Sequence, residues 1–101
     1  MTTTNTYIST PGEILKEEFL IPLGISQYKL AKAMGKPQSA ISDIVNGRRM
    51  ITPEMAILLG RTLGTTPDFW LKLDATYQIK TFDGQKCHLE NVPVLVDLKA
   101  S

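Results

Sequence analysis

Three threonine–proline pairs constrain the fold of this chain more than any other feature of its sequence. They are Thr10-Pro11, Thr52-Pro53 and Thr66-Pro67. In each case an acidic residue and then apolar residues follow. A threonine at an N-cap accepts a hydrogen bond from a free backbone N–H, and a proline at the next position loses nothing because that N–H has no helical partner. Each pair therefore predicts the start of a helix, and Glu13 predicts a capping box at the first.

Two further starts and three ends complete a map of helices. Ser26 predicts one start, and Pro37 predicts another because proline is tolerated only in the first turn of a helix. Glycines after apolar-periodic segments predict the ends, since glycine adopts the left-handed conformation of a C-terminal cap. These glycines are Gly35, Gly47 and Gly64. We therefore predict an all-α fold of five helices, at 11–20, 26–34, 37–46, 52–63 and 66–79.

The 101 residues are enough for one small domain with extensions at both ends. We predict a flexible arm at 1–9, one helical domain at 10–80, and a tail at 81–101. In the tail, Asp83-Gly84 is a turn dipeptide, and the β-branched, apolar run 92–98 is interrupted by Pro93. An irregular or weakly β tail is predicted, which either covers the helical core or contacts a partner.

Several classes of protein are disfavoured by what the sequence lacks. The single cysteine, Cys87, excludes an internal disulfide and fits a cytoplasmic location. Without a signal peptide, or an apolar run of roughly 18 residues, no membrane contact is predicted. The adjacent Cys87 and His88 supply neither the third group that orients a nucleophilic pair nor the about four ligands that zinc needs. We therefore predict no enzyme, no metal and no cofactor.

A helix-turn-helix motif is predicted over Gln27–Asn46, because six positions carry the residue types that the motif needs. The first helix must be small where the second crosses it, and Ala31 is small. The turn must tolerate a positive φ, and Gly35 does so. The core-facing positions must be apolar, and they are Leu30, Met34, Ile41 and Ile44. The combination favours DNA binding over a helical bundle or a protein-binding module with the same spacing.

The second helix of such a motif lies in the major groove and reads bases. Its predicted base-reading residues are Gln38, Ser39, Ala40 and Asp43. Glutamine can pair with adenine, serine with several base edges, an alanine methyl with thymine and a carboxylate with the cytosine amino group. Asp43 has a second interpretation, since a carboxylate near phosphates lowers affinity and can point to an arginine instead.

Contacts to the DNA backbone are predicted on both sides of this helix. The residues are Gln27, Lys36, Asn46, Arg48 and Arg49. Gln27 begins the preceding helix, and the two arginines lie in the loop after the recognition helix, where they can bind flanking phosphates. This local cluster supplies the positive charge that the formal net charge of +1 does not.

The helix predicted at 52–63 is apolar on more than one side, so one face can pack on the motif while another faces a partner. We predict a two-fold interface that includes Ile57, Leu58 and Trp70, although Trp70 is also interpreted as a core residue. A homodimer would place two recognition helices about 34 Å apart, so that both read a palindromic operator.

Segments throughout residues 10–80 carry a specific combination of motifs. They are Pro11–Leu15, Leu23–Gln27, Asn46–Arg49, Ile51–Ala56, Leu63–Pro67 and Phe69–Leu73, followed by Tyr77. Together these segments resemble the Cro/C1-type repressors, also called the XRE family, and within it the HigA-type antitoxins. Two features depart from the family pattern: Lys72-Leu73-Asp74 stands where Asn-Leu-Gln is usual, and the tail matches no family segment.

The resemblance implies a dimeric repressor of its own operon that binds double-stranded operator DNA and neutralises a small ribonuclease toxin. The departures concern the partner surface more than the DNA surface. The alternative is a stand-alone repressor of a phage or metabolic type without a toxin. A protein-interaction module that has lost DNA binding is a third hypothesis.

Overall fold

Five helices dominate the computed structural model, which describes residues 9–82 and 89–96. Helix α1 runs through three consecutive segments, Pro11–Ile14, Leu15–Leu20 and Ile21–Leu23. The others are α2 (Gln27–Met34), α3 (Gln38–Val45), α4 (Pro53–Leu63) and α5 (Pro67–Thr81), and a 3-10 turn follows at Leu89–Asn91. The all-α prediction is confirmed for these residues. None of their helices combines the length and the apolar character needed to cross a membrane.

Three predicted features fall outside the described residues. They are residues 1–8 of the arm predicted at 1–9, the hairpin around Asp83-Gly84, and the Cys87-His88 pair. Of the predicted tail, residues 81–82 and 89–96 are described: Thr81 ends α5, Leu89–Asn91 form the 3-10 turn, and residues 92–96 form neither helix nor strand. Their apolar side chains are largely exposed, so this part of the tail does not cover the helical core.

The threonine–proline pairs begin helices as predicted. The hydroxyl of Thr10 accepts a hydrogen bond from the N–H of Glu13 at 3.0 Å, and the Glu13 carboxylate accepts one from the N–H of Thr10 at 2.9 Å. The hydroxyls of Thr52, Thr66 and Ser26 each accept a hydrogen bond from the backbone N–H three residues later. Such a cap satisfies a backbone N–H that has no helical partner, and it is worth about 1 kcal/mol.

Helix α1 continues to Leu23, three residues beyond its predicted end, although Pro22 lies in its last turn. Its middle segment has π-helical hydrogen bonds, and the N–H of Ile21 donates to the carbonyl of Lys16. A proline inside an ordinary α-helix clashes with the carbonyl four residues earlier. The wider turn before Pro22 relieves that clash, which is why the helix does not stop at Leu20.

The core lies where the helix-turn-helix meets the other three helices. All the residues predicted to pack inside the motif are buried: Leu30, Ala31, Met34, Ile41 and Ile44. Gly35 has a φ of 70°, as the turn requires. The α2–α3 pair packs against the start of α1 and against α4, and α5 packs against both of these helices. The motif is therefore supported by three helices on one side, and Gln38 and Ser39 on its other side are exposed among the described residues.

Trp70 belongs to the core of one chain, and its predicted place in a dimer interface is wrong. The side chain is fully buried, and its indole N–H donates to the hydroxyl of Thr65 at 2.7 Å. Its ring lies 5.2 Å from that of Phe19 on α1 and 5.0 Å from that of Phe69. Because it faces α1, no surface of Trp70 remains for a second chain.

Candidate nucleic-acid interface

Helix α3 has one buried face and one outer face, and the residues predicted to read bases divide between them. Gln38 and Ser39 are exposed at the N-terminal end of the helix. Ala40 is only 4% exposed, because it lies on the same side as the buried Ile41 and Ile44. The prediction that Ala40 contacts a thymine methyl is therefore wrong, since its methyl group packs in the core.

The loop after α3 turns back on the helix through a glycine. Gly47 has a φ of 75°, and its N–H donates to the carbonyl of Ile44 at 3.1 Å. The N–H of Arg48 donates to the carbonyl of Asp43 at 2.7 Å, which completes a Schellman cap. This cap directs Arg48 back towards the side chain of Asp43.

Both loop arginines form ion pairs with that one carboxylate. The Nη2 atom of Arg48 lies 3.2 Å from Oδ1 of Asp43, and the Nη2 atom of Arg49 lies 3.5 Å from Oδ2. The Nε–H of Arg48 also donates to Oδ1 at 3.3 Å. In the protein without DNA, the side chain of Asp43 therefore points to the arginines, as the second interpretation of its sequence position proposed.

The other predicted backbone contacts surround α3. The ammonium group of Lys36 lies 3.1 Å from Oε2 of Glu54, an ion pair that connects the turn of the motif to the start of α4. The side-chain amide of Asn46 donates to the hydroxyl of Ser42 at 3.2 Å, at the other end of α3. Gln27 is half-buried in the first turn of α2.

Asp74, a residue to which sequence reasoning assigned no role, anchors the loop that carries the arginines. It is 7% exposed, and its Oδ2 atom accepts a hydrogen bond from the N–H of Ile51 at 3.2 Å. Asp74 and Arg49 line the same shallow pocket. A usable signal was present in the sequence, because Asp74 lies four residues after the buried Trp70 and so shares its face of α5.

Gly12 is a second determinant that sequence reasoning missed. A Cβ atom on Gly12 would collide with the carbonyl oxygen of Ile44 and lie 2.7 Å from that of Val45. The start of α1 therefore lies directly against the end of the recognition helix. The signal was a glycine in the first turn of a helix, where it has no capping role and weakens helix formation.

Of the predicted dimer residues, two remain on or near the surface of α4. Ile57 is 43% exposed, whereas Leu58 is half-buried against the core. An exposed isoleucine beside a partly covered leucine is compatible with an interface, and the role of this pair stays a prediction.

The fold and these side chains can be compared with known proteins. Residues 15–70 match the helix-turn-helix family. The antitoxin HigA-1 of Vibrio cholerae is 37% identical over 94 residues, and the match covers 89% of this chain and 87% of that protein.

Two solved structures also share the fold. Pseudomonas aeruginosa antitoxin HigA with the higBA promoter is 35% identical with a TM-score of 0.80, and the match covers 89% of this chain and 100% of that one. Antitoxin GraA in complex with its operator is 32% identical with a TM-score of 0.80, covering 96% and 100%.

Proposed function

We infer that this chain, which belongs to the helix-turn-helix family and within it to the HigA-type antitoxins, represses its own operon by binding operator DNA and neutralises a toxin partner. One juxtaposition carries the DNA-binding half of this proposal. Exposed polar residues at the start of α3, Gln38 and Ser39, are combined with two arginines just beyond its end. Relatives of the same fold are known in complexes with a promoter or an operator, which supports the same use here.

The roles proposed for individual residues follow from their positions. Gln38 and Ser39 read base edges in the major groove, and Asp43 accepts from a cytosine amino group when it is free to do so. The backbone is held by Gln27, Lys36, Asn46, Arg48 and Arg49. These contacts fix the register of α3 on the duplex without reading sequence.

We propose that the protein binds as a homodimer to a palindromic operator, with Ile57 and Leu58 of α4 at the interface. The exposure of Ile57 supports this, because covering a large apolar side chain lowers the free energy of the dimer relative to two separate chains. Two-fold symmetry would present two copies of α3 to successive major grooves.

The proposed toxin partner is a small ribonuclease, and we propose that it contacts the tail at 81–101. The exposed Val94 and Leu95 support the choice of the tail. A segment of extended, apolar chain can add to a partner through its backbone and alternate side chains. The protein would act in the cytoplasm, without a catalytic step of its own.

Co-expression tests this proposal directly. The chain would carry an affinity tag, and the untagged product of the neighbouring gene would be produced with it in the same cells. We expect the two proteins to purify together at a fixed ratio, and the added chain to relieve the growth arrest that the neighbouring product causes alone. Binding of upstream DNA without any co-purifying partner would favour the stand-alone repressor instead.

A further inference from the structure

The carboxylate of Asp43 connects the recognition helix to the loop that follows it. It lies on α3 itself, yet it pairs with both arginines of the following loop, at 3.2 Å and 3.5 Å. Two proposed phosphate ligands thus share one acid in the free protein, and that acid cancels one of their two positive charges. The side chains of Arg48 and Arg49 are 62% and 49% exposed, so water and phosphates can reach both pairs.

We propose that Asp43 is a selectivity residue, which holds Arg48 and Arg49 in the free protein and makes their transfer to phosphates favourable only on DNA that offers its carboxylate a new donor. The inference rests on the proposed function, because it assumes that these arginines bind the DNA backbone. The inference gives Asp43 a role in each of two states. In the free protein it pairs with the two arginines, and on operator DNA it accepts a hydrogen bond from a base.

The selectivity arises when the arginines leave. Their transfer to phosphates exposes the Asp43 carboxylate to the negative charge of the duplex, and like charges at short distance repel. On an operator with a cytosine opposite this turn of α3, the exocyclic amino group donates a hydrogen bond and compensates the carboxylate. Where the base at that position offers only acceptors in the major groove, as guanine and thymine do, the carboxylate gains no hydrogen bond and the same transfer costs more free energy. Specificity of this kind comes from weakening the complexes with DNA other than the operator.

A purely structural role for the ion pairs predicts a different outcome. If Asp43 served only to orient the arginines towards phosphates, its removal would weaken binding to every sequence. The backbone cap that also directs Arg48, from its N–H to the carbonyl of Asp43, does not depend on the side chain. Replacement of the carboxylate therefore leaves the fold of the loop intact and separates the two roles.

The test compares Asp43→Asn with the wild-type chain on two duplexes. One is a duplex from the region upstream of the coding sequence that the wild type binds most tightly, and the other is a scrambled duplex of equal length and composition. Glu17→Gln is the matched control, since it also removes one negative charge, from an exposed position on α1. Affinities would be measured across a salt series, and thermal unfolding would confirm that each variant is folded.

For Asp43→Asn we expect affinity for the scrambled duplex to rise roughly three- to tenfold, which is the size expected for the loss of two exposed ion pairs. The salt slope on that duplex should steepen by about one, because the arginines no longer exchange an internal partner for phosphate. Affinity for the upstream duplex should change less, so the ratio between the two duplexes falls. The control should alter neither ratio nor slope.

Two results would overturn the inference while leaving the proposed function intact. One is an equal loss of affinity on both duplexes, and the other is no change on either. A wild-type chain that binds neither duplex at low salt would contradict the proposed function itself, and the inference with it.

Discussion

Asp74 of α5 accepts a hydrogen bond from the backbone N–H of Ile51, at 3.2 Å, and so ties the end of the arginine loop to a helix that lies outside the DNA-binding motif. The two residues are 23 positions apart in the chain, and both are buried. This bond fixes where the loop returns to the core before α4 begins. The position of Arg48 and Arg49 therefore depends on α5 as well as on α3.

Replacement of Asp74 by alanine should destabilise the protein by about 1–3 kcal/mol, because the buried N–H of Ile51 loses its acceptor. Asp74→Asn keeps a carbonyl oxygen at the same place and should cost clearly less. Urea unfolding followed by the fluorescence of Trp70, the only tryptophan, measures both. Equal losses in the two variants would show that the hydrogen bond is not the source of the stability.

Gly12→Ala should be among the most damaging single-methyl additions in this chain. The new methyl group would collide with the carbonyl oxygens of Ile44 and Val45, which are backbone atoms and cannot rotate away. We expect a loss at or above the upper end of the about 1–3 kcal/mol that overpacking usually costs. Thermal unfolding by circular dichroism measures this loss.

Gly24→Ala is the control for that experiment. It adds the same methyl group where nothing lies within 4 Å, at a φ of 66°, so only backbone strain of about 1–2 kcal/mol opposes it. If Gly12→Ala proved no more destabilising than Gly24→Ala, the close contact between α1 and α3 would not be a determinant of the fold.

The sequence predicted local features well and contacts between distant residues poorly. Thr10 and Thr52 could be identified as caps because each bond closes within three residues. The sequence carried a signal that Asp74 and Gly12 matter, but it could not identify their partners, because these are backbone groups that only the folded chain brings near them. The motif itself was predictable, since its spacing encodes the packing of two adjacent helices.

The errors within the motif have a simple geometric origin. Ala40 was predicted to face outwards, but the buried stripe of α3 is wide enough to include it. A small residue can lie at the margin of either face, and its type does not decide between them. Trp70, on α5, was also ambiguous, because a large aromatic side chain is common both in a core and in an interface.

Ile57→Glu should convert a dimer into a monomer. Each protomer would contribute one negative charge to the proposed two-fold interface, and the two charges would be buried without a partner. Analytical ultracentrifugation measures the change. Ile79→Glu is the control, since it introduces the same charge at another exposed isoleucine, on α5, and should leave the dimer intact. Dissociation by Ile79→Glu but not by Ile57→Glu would assign the interface to the end of α5 and contradict the role of α4.

Gln38→Ala should relax the preference at one base pair of the operator, at a cost of about 1–3 kcal/mol for the preferred base. A full series of operator substitutions, titrated against wild-type and variant protein, measures this preference. Arg49→Ala is the comparison: it should weaken by the same factor every operator variant that keeps the cytosine proposed to face Asp43, and reduce the salt slope on them by about one. An unchanged substitution series for Gln38→Ala would exclude Gln38 as a base reader.

The central claim, that this chain is a sequence-specific DNA-binding repressor, is tested most directly by its affinity for upstream DNA and for a scrambled duplex across a salt series. We predict an affinity for the upstream duplex that exceeds the scrambled one by about a thousandfold or more at physiological salt. Both affinities should fall linearly with salt on logarithmic axes. Equal affinity for the two duplexes, or no binding to either at low salt, would contradict the claim.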